Sequence, residues 1–240
     1  MIKTAMIFAA GEGKRMLPLT LHTPKPLLKV AGKPLIFWHL ERLAAQGIQQ
    51  VVINVSYLGQ QIIDAVQDGS AWGLKVVYSI EDTPLETGGG LLKARPLLGE
   101  APFLLVNGDV WCGELPEFLP MAEDELIFMQ LVNNPSHHPE GDFCFASESG
   151  WLANKPSQGM PTKTFAGISR IHPTMLDEQW LVAAYGKTFK AGDAFILSPL
   201  LRLMIAKQHA KAAVFKGTWV DVGTPQRLAD LNKSLLQQLN

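Results

Sequence analysis

The feature that most constrains the fold is an alternation of short apolar strands and helical segments in the first half of the chain. Apolar runs predict buried strands at residues 4–8, 51–55, 75–79 and 103–106. Helical periodicity predicts helices between them, at residues 34–46, 59–67 and 88–98. Such alternation is typical of an α/β fold, with a mostly parallel sheet covered by helices on both faces.

The length and the charge balance narrow the possible partners. A chain of 240 residues is long enough for one large α/β domain with a substantial core. The net charge of −1 gives no general attraction to nucleic acid or to an anionic membrane, so we expect neither as a partner. Cys112 and Cys144 lie far apart without metal-ligand spacing and are predicted to be buried or idle thiols. With no targeting or membrane-spanning pattern, we expect a reducing cytoplasm.

A glycine-rich loop, Ala-Ala-Gly-Glu-Gly-Lys-Arg-Met, follows the first predicted strand at residues 9–16. Gly11 and Gly13 let the backbone approach a ligand, and their N–H groups can converge on an anion. Arg15 adds a planar fork that suits phosphate oxygens. We interpret the loop as the holder of a nucleotide triphosphate, with Lys25 at a second phosphate. The alternative is a tight turn with solvated cations, since the spacing matches neither a dinucleotide fingerprint nor a Walker loop.

Two aspartates in apolar surroundings indicate a cation site. Asp109 ends the strand–turn sequence Asn107-Gly108-Asp109, and Asp221 lies inside the apolar run 219–222. A carboxylate in such a place is costly without a partner. With a phosphate loop at the end of another strand, we favour a shared Mg²⁺ over simple capping of the next segment. Asn107 could bind the nucleotide ribose or phosphate, or stabilise the turn.

Further glycines and polar residues suggest ligand contacts. Gly88, Gly89 and Gly90 open a predicted helix, where they could seat a nucleobase or form a flexible hinge. Gly167 allows close approach of a ligand along a predicted strand. We do not interpret the adjacent His137 and His138 as zinc ligands, because no Cys/His cluster completes a tetrahedral site.

The second half of the chain has fewer regular signals. Strands are predicted at 126–132, 164–171 and 212–215, with short strands between 143 and 155. Asp193 is predicted to cap a helix through Ala206, with Phe195 and Ile196 among the residues facing the core. Thr224 and Pro225 are predicted to begin the last helix, which runs to about residue 239.

The loop at residues 9–16, followed by Pro24-Lys25-Pro26-Leu27, resembles the signature of sugar-1-phosphate nucleotidyltransferases, and the resemblance covers nearly the whole chain. Within that family it is most similar to bacterial N-acetylmuramate-1-phosphate uridylyltransferases. The narrower likeness depends on four segments, residues 85–90, 106–110, 134–143 and 219–223.

The resemblance implies a fold and an activity. The fold is a single Rossmann-like domain of the nucleotide-diphospho-sugar transferase type over residues 1–240, with a nucleotide-binding part at about 1–132 and a small sugar-binding lobe at about 133–172. The activity is transfer of a nucleotidyl group from a nucleoside triphosphate, UTP, to a sugar 1-phosphate, N-acetylmuramate 1-phosphate, in cell-wall recycling. The alternatives are a guanylyl- or thymidylyl-type relative and a catalytically silent nucleotide-binding regulator. The oligomeric state stays open.

Family residues carry over to positions in this chain. The implied catalytic residues are Arg15, Lys25 and Asp109, and the implied Mg²⁺ ligands are Asp109 and Asp221. The nucleotide-binding set is Gly11, Glu12, Gly13, Lys25, Gly88, Gly89 and Asn107, and the sugar-binding set is Asp142 and Gly167. The segment Asn154-Lys155-Pro156 departs from the family's Glu-Lys-Pro element, so a sugar-phosphate contact from Lys155 and a plain loop lysine both remain open.

Overall fold

A computed structural model describes residues 2–118, 120–146, 149–154 and 160–238 of the chain. The strands are β1 (Thr4–Phe8), β2 (Lys29–Val30), β3 (Lys33–Pro34), β4 (Gln50–Val55), β5 (Lys75–Ile80), β6 (Phe103–Asn107), β7 (Val110–Cys112), β8 (Ile127–Val132), β9 (Phe143–Ala146), β10 (Trp151–Ala153), β11 (Thr162–Ile171), β12 (Ala210–Val214) and β13 (Trp219–Asp221). The helices are α1 (Leu35–Ala45), α2 (Gly59–Val66), α3 (Glu86–Leu98), α4 (Glu178–Tyr185), α5 (Ser198–Ala206) and α6 (Pro225–Gln238).

Nine strands form one sheet in the order β5-β4-β1-β6-β11-β8-β12-β10-β9. The first four are parallel, as the strand–helix alternation predicts. β11 enters between β6 and β8 and is antiparallel to both, and β10 runs antiparallel to β12 and β9. β7 and β13 form a separate antiparallel pair. The prediction of a mostly parallel α/β sheet is therefore confirmed, with β11 and β10 as the reversed strands.

Two apolar cores lie on opposite faces of the sheet, because successive side chains of a strand point to opposite sides. In β1, Met6 belongs to one core, whereas Ala5 and Ile7 belong to the other. The Met6 face is covered by α3, α4 and α5, and the opposite face by α1 and α2. Helices therefore cover both faces, as the sequence predicts, and β1 is held firmly in the middle of the domain.

The second half differs from the sequence prediction at two helices, α4 and α5. α5 begins only at Ser198, so Asp193 is too far along the chain to cap it. Asp193 Oδ2 instead accepts a hydrogen bond from Lys190 N at 2.8 Å. Phe195 is buried, but Ile196 is 53% exposed and does not face the core. The helix α4 was not predicted. The last helix begins after Thr224, whose Oγ1 accepts from Arg227 N at 3.3 Å, as expected of a capping residue.

Among the residues that the structure describes, none belongs to a helix long and apolar enough to cross a membrane. Cys112 and Cys144 are both buried and free of any disulfide. Burial raises the pKa of the Cys112 thiol to about 11, so this thiol stays protonated at neutral pH and is a poor nucleophile. The predicted burial of both thiols is therefore confirmed.

Candidate active site

Two adjoining cavities open at the carboxyl ends of β1 and β6. The larger has a volume of about 440 Å³ and is lined by the glycine-rich loop, by Asn54 near the end of β4 and by residues that follow β5. The smaller, of about 250 Å³, lies towards β11, β13 and the loop before β9. Arg15, Asn107 and Asp109 line both cavities. Ligands commonly bind outside the carboxyl ends of parallel strands, and here a long ligand or two ligands could meet at three shared side chains.

The glycine-rich loop is shaped by Gly13 and leaves Gly11 open. Gly13 has a φ of 65°, in the left-handed region, and a Cβ there would lie 3.0 Å from Thr20 Cγ2. Thr20 Oγ1 donates to Gly13 O at 3.0 Å, which holds the turn closed. A Cβ on Gly11 would meet no atom within 4 Å, so its backbone faces open space at the larger cavity. Glu12 lines this cavity and forms an exposed ion pair with Lys14 at 3.0 Å.

The two predicted cations behave differently. Arg15 makes no hydrogen bond or ion pair with any residue that the structure describes, and it reaches both cavities. Lys25 is 11% exposed, and its Nζ lies 2.9 Å from Asp109 Oδ2. A guanidinium without a partner in a cleft can bind phosphate oxygens bidentately. Lys25, in contrast, already compensates the charge of Asp109.

The structure brings Asp109 and Asp221 together, although they are far apart in the chain. β13 pairs with β7, and Val222 N donates to Asp109 O at 2.8 Å. Both aspartates line the smaller cavity. Asp221 Oδ2 lies 3.0 Å from Arg227 Nη1 and 3.4 Å from His137 Nε2, whereas Oδ1 is buried without a hydrogen-bond partner.

This donor set suits a cation that a substrate helps to coordinate. No group of three or more His, Cys, Asp or Glu side chains suited to a metal occurs within the described ranges. Mg²⁺ usually binds one or two carboxylates and completes its shell with water and substrate phosphates. Two convergent aspartates, one with a buried oxygen lacking any partner, fit that pattern.

A buried polar network on the floor of the larger cavity was missed by the sequence analysis. Asn54 accepts from Ala9 N at 2.8 Å and donates to Glu81 Oε1 at 2.7 Å. Glu81 Oε2 accepts from Leu85 N at 2.9 Å. This network joins the glycine-rich loop to the segment before α3. The signal was a polar residue at the end of β4 and another directly after β5, the same position relative to a strand that identified Asp109 after β6.

Gly88 and Gly89 are not among the residues that line the larger cavity, and nucleobase binding at these glycines stays a prediction. Both N–H groups donate to Phe195 O, at 2.8 and 3.1 Å. A Cβ on Gly88 would collide with the Phe195 ring, and a Cβ on Gly89 would collide with Asp193 O. The glycines therefore allow α3 to pack closely against the segment before α5. The cavity wall nearby is formed instead by Pro84, Glu86 and Thr87.

Gly167 and Asn107 form a close pair between the cavities. Gly167 has a φ of 71°, and it lies where the register of β11 with β8 is interrupted. A Cβ there would lie 2.8 Å from Asn107 Nδ2. Gly167 lines the smaller cavity, and Asn107 lines both. The group that approaches Gly167 closely in the structure is thus the Asn107 side chain. Sugar binding at this glycine stays a prediction.

The predicted sugar ligand Asp142 lies behind a histidine. Its Oδ1 is 3.1 Å from His138 Nε2, and its Oδ2 accepts from Phe165 N at 2.8 Å. His137 and His138 both line the smaller cavity, whereas Asp142 is not among its lining residues. A direct sugar contact by Asp142 stays a prediction, and Lys155 lies outside the described residues.

The chain is similar in sequence and in fold to known proteins. A family model described as nucleotidyl transferase matches residues 4–146. The chain is 42% identical over 232 residues to N-acetylmuramate alpha-1-phosphate uridylyltransferase of Neisseria meningitidis, covering 94% of this chain and 95% of that protein. It is 30% identical over 92% of its length to mannose-1-phosphate guanylyltransferase catalytic subunit beta of Drosophila melanogaster, of which it spans 60%. A crystal structure of UDP-glucose pyrophosphorylase complexed with UDP-glucose shares the fold, with a TM-score of 0.73, 18% identity and coverage of 99% of this chain and 100% of that chain.

Proposed function

Since the chain belongs to the nucleotidyl transferase family, we propose that it transfers the uridylyl group of UTP to N-acetylmuramate 1-phosphate, releasing pyrophosphate and a UDP-sugar. The observation that carries this proposal is the convergence of the glycine-rich loop, Arg15 and two aspartates on one two-part cleft. The full-length similarity to the uridylyltransferase of Neisseria meningitidis supports the choice of both substrates.

The reaction needs positioning and charge compensation more than proton transfer. The phosphate oxygen of a sugar 1-phosphate is already a nucleophile at neutral pH, so we assign no general base. It attacks the α-phosphorus of the nucleoside triphosphate, the bond to the β-phosphate bridging oxygen breaks, and pyrophosphate leaves. Correct placement of two bound reactants can contribute about 7–11 kcal/mol to such a step. The larger cavity would hold the nucleotide and the smaller one the sugar phosphate.

Each charged residue has a task in this scheme. The backbone of Gly11 and Gly13 cradles the triphosphate, and Arg15 stabilises the charge that develops on the leaving pyrophosphate, because fixed donors aimed at developing charge lower the barrier. Lys25 is paired with Asp109 and lines the larger cavity, where it would hold the α-phosphate against the sugar phosphate. Asp109 and Asp221 would hold Mg²⁺, which when bound would screen the repulsion between the two phosphates.

Two further aspects of the proposal follow from the substrates. N-acetylmuramate is a sugar of bacterial peptidoglycan, so we place the reaction in cell-wall recycling. We also propose a cytoplasmic location, which the two free, buried cysteines support. The presence of Arg15, Lys25, Asp109 and Asp221 around one cleft argues against a silent regulator, which should lack at least one of them.

The test is a matrix of substrates. Pyrophosphate release is measured with UTP, GTP, CTP and dTTP, each against N-acetylmuramate, N-acetylglucosamine, glucose and mannose 1-phosphates, with and without Mg²⁺. We expect the highest kcat/KM for UTP with N-acetylmuramate 1-phosphate and a requirement for Mg²⁺. A strong preference for GTP with mannose 1-phosphate would instead support the guanylyl-type alternative. No release with any pair would refute an enzymatic role.

A further inference from the structure

The two oxygens of the Asp221 carboxylate have opposite surroundings. Oδ2 lies beside two nitrogen atoms, since Arg227 Nη1 is at 3.0 Å and His137 Nε2 at 3.4 Å. Oδ1 is buried and has no partner among the described residues. An unpartnered buried carboxylate oxygen is costly, whereas one turned towards a bound cation is not. The asymmetry therefore points to an interaction at Oδ1 that the protein itself does not provide.

The guanidinium of Arg227 is held in place by the start of α6. Arg227 N donates to Thr224 Oγ1 at 3.3 Å, so the first turn of the helix fixes the residue beside Asp221. Its side chain is only 17% exposed, and its Nε is buried without a partner. Burying an arginine with one unpaired donor costs free energy, so stability alone does not explain the position of Arg227.

Gly223 makes the space that this arrangement needs. A Cβ on Gly223 would collide with Arg227 Nη2 and would lie 2.7 Å from Asp221 Oδ1. The φ of Gly223 lies outside the left-handed region, so the requirement for glycine here comes from space rather than from backbone conformation. The guanidinium can therefore reach Asp221 only because residue 223 lacks a side chain.

We propose that Arg227 is a positioning residue: it holds Oδ2 of Asp221 and so fixes the orientation of this carboxylate for a divalent cation bound in the smaller cavity. This inference rests on the proposed function, because it takes Asp221 to be a metal ligand. A positive guanidinium near a cation weakens metal binding by simple Coulomb repulsion. Any gain in metal affinity from Arg227 must therefore come from the orientation of the carboxylate. Removing the guanidinium should then weaken metal binding if Arg227 positions Asp221, and strengthen it if only charge repulsion matters.

The experiment measures Mn²⁺ binding from the loss of the free-ion electron paramagnetic resonance signal, with Mn²⁺ alone and with saturating UDP-N-acetylmuramate. Hydrogen-bond partners of metal ligands typically contribute about 10- to 100-fold to metal affinity. We expect Arg227→Met to weaken Mn²⁺ binding at least about tenfold. Arg227→Lys should weaken it less, since an ammonium can still form an ion pair with Oδ2. Lys233→Met, an exposed position on the same helix, is the matched control and should bind as the wild type does.

The outcomes separate the two proposals. If wild type binds Mn²⁺ and Arg227→Met binds it equally or more tightly, the positioning role is overturned, because the guanidinium then only neutralises Asp221. An Arg227→Lys protein as weak as Arg227→Met would overturn it too, since packing would then be the cause. If neither wild type nor Asp221→Asn binds Mn²⁺ in the product complex, the metal site of the proposed function fails instead. Thermal melting should show that Arg227→Met and Arg227→Lys are both folded.

Discussion

Replacing Asp109 with asparagine separates the effect of its charge from the effect of its shape. The substitution Asp109→Asn keeps the size of the side chain and one oxygen acceptor, but it removes the negative charge. Asp109 is 35% exposed and lies 2.9 Å from the nearly buried ammonium of Lys25. It also lines both parts of the cleft. The variant therefore tests whether this carboxylate is mainly a partner of Lys25 or a participant in the reaction.

The expected loss of stability is small. Two unit charges 2.9 Å apart attract by roughly 6 kcal/mol at an effective dielectric constant of about 20. Solvent screens this pair because Asp109 is one-third exposed, and the amide oxygen still accepts from Lys25, so we expect a net cost of about 1 kcal/mol. For a domain of this size that corresponds to a fall in melting temperature of about 2–4 °C.

The expected loss of turnover is much larger. Removing one group that stabilises transition-state charge typically lowers kcat by about 10²–10³. The matched control is Asp177→Asn, because Asp177 is also 35% exposed and pairs with an arginine, Arg95, at 2.6 Å. It lies outside both cavities. Melting curves should show similar losses of stability in the two variants. Pyrophosphate-release assays with UTP and N-acetylmuramate 1-phosphate should show a loss of turnover only in Asp109→Asn.

A single result would refute this reasoning. If Asp109→Asn retained turnover close to that of Asp177→Asn, the carboxylate would serve only to compensate Lys25. The metal-binding role assigned to Asp109 would then be abandoned, whatever the substrates of the enzyme.

Three other predictions follow from the same structure. Arg15→Ala should lower kcat more than it raises KM for the sugar phosphate, and steady-state kinetics showing only a KM change would contradict the role at pyrophosphate. Burial lowers the pKa of His39 from 6.5 to about 4, so the unfolded chain takes up this proton first as pH falls. As the pH is lowered from 6.5 to 4, the free energy of unfolding should thus fall by up to about 3 kcal/mol more in the wild type than in His39→Leu. Urea titrations at several pH values measure this difference. The same pH dependence in both proteins would contradict the prediction. Gly88→Ala should cost about 1–3 kcal/mol because its Cβ overlaps the Phe195 ring, whereas Gly11→Ala should leave the melting temperature nearly unchanged.

Local patterns account for the half of the domain that binds the nucleotide in our proposal. The alternation of apolar strands and helices predicts β1, β4, β5 and β6, since burial on both faces leaves few other arrangements for such runs. The same logic places Asp109 at the carboxyl end of a strand, in the same cleft as the glycine-rich loop.

Other features depend on contacts between remote segments and have weak local signals. The three glycines at 88–90 are compatible in sequence with a ligand seat or a hinge, and the close packing of Gly88 against Phe195 is visible only in the structure. The two histidines look alike in sequence, yet His137 lies against Asp221 and His138 against Asp142. Insertion of β11 between β6 and β8 brings the loop before β9 next to the cleft and creates the smaller cavity.

The sequence by itself determined the α/β class, the phosphate-type loop and the candidate acids, because hydrophobic periodicity and residue chemistry are local properties. Only the tertiary structure decided which groups face each oxygen of Asp221, and that Asn54 joins Glu81 beneath the larger cavity. Such pairings depend on the order of strands in the sheet and on the docking of α6. These are set by the packing of the whole core, which no short stretch of sequence specifies.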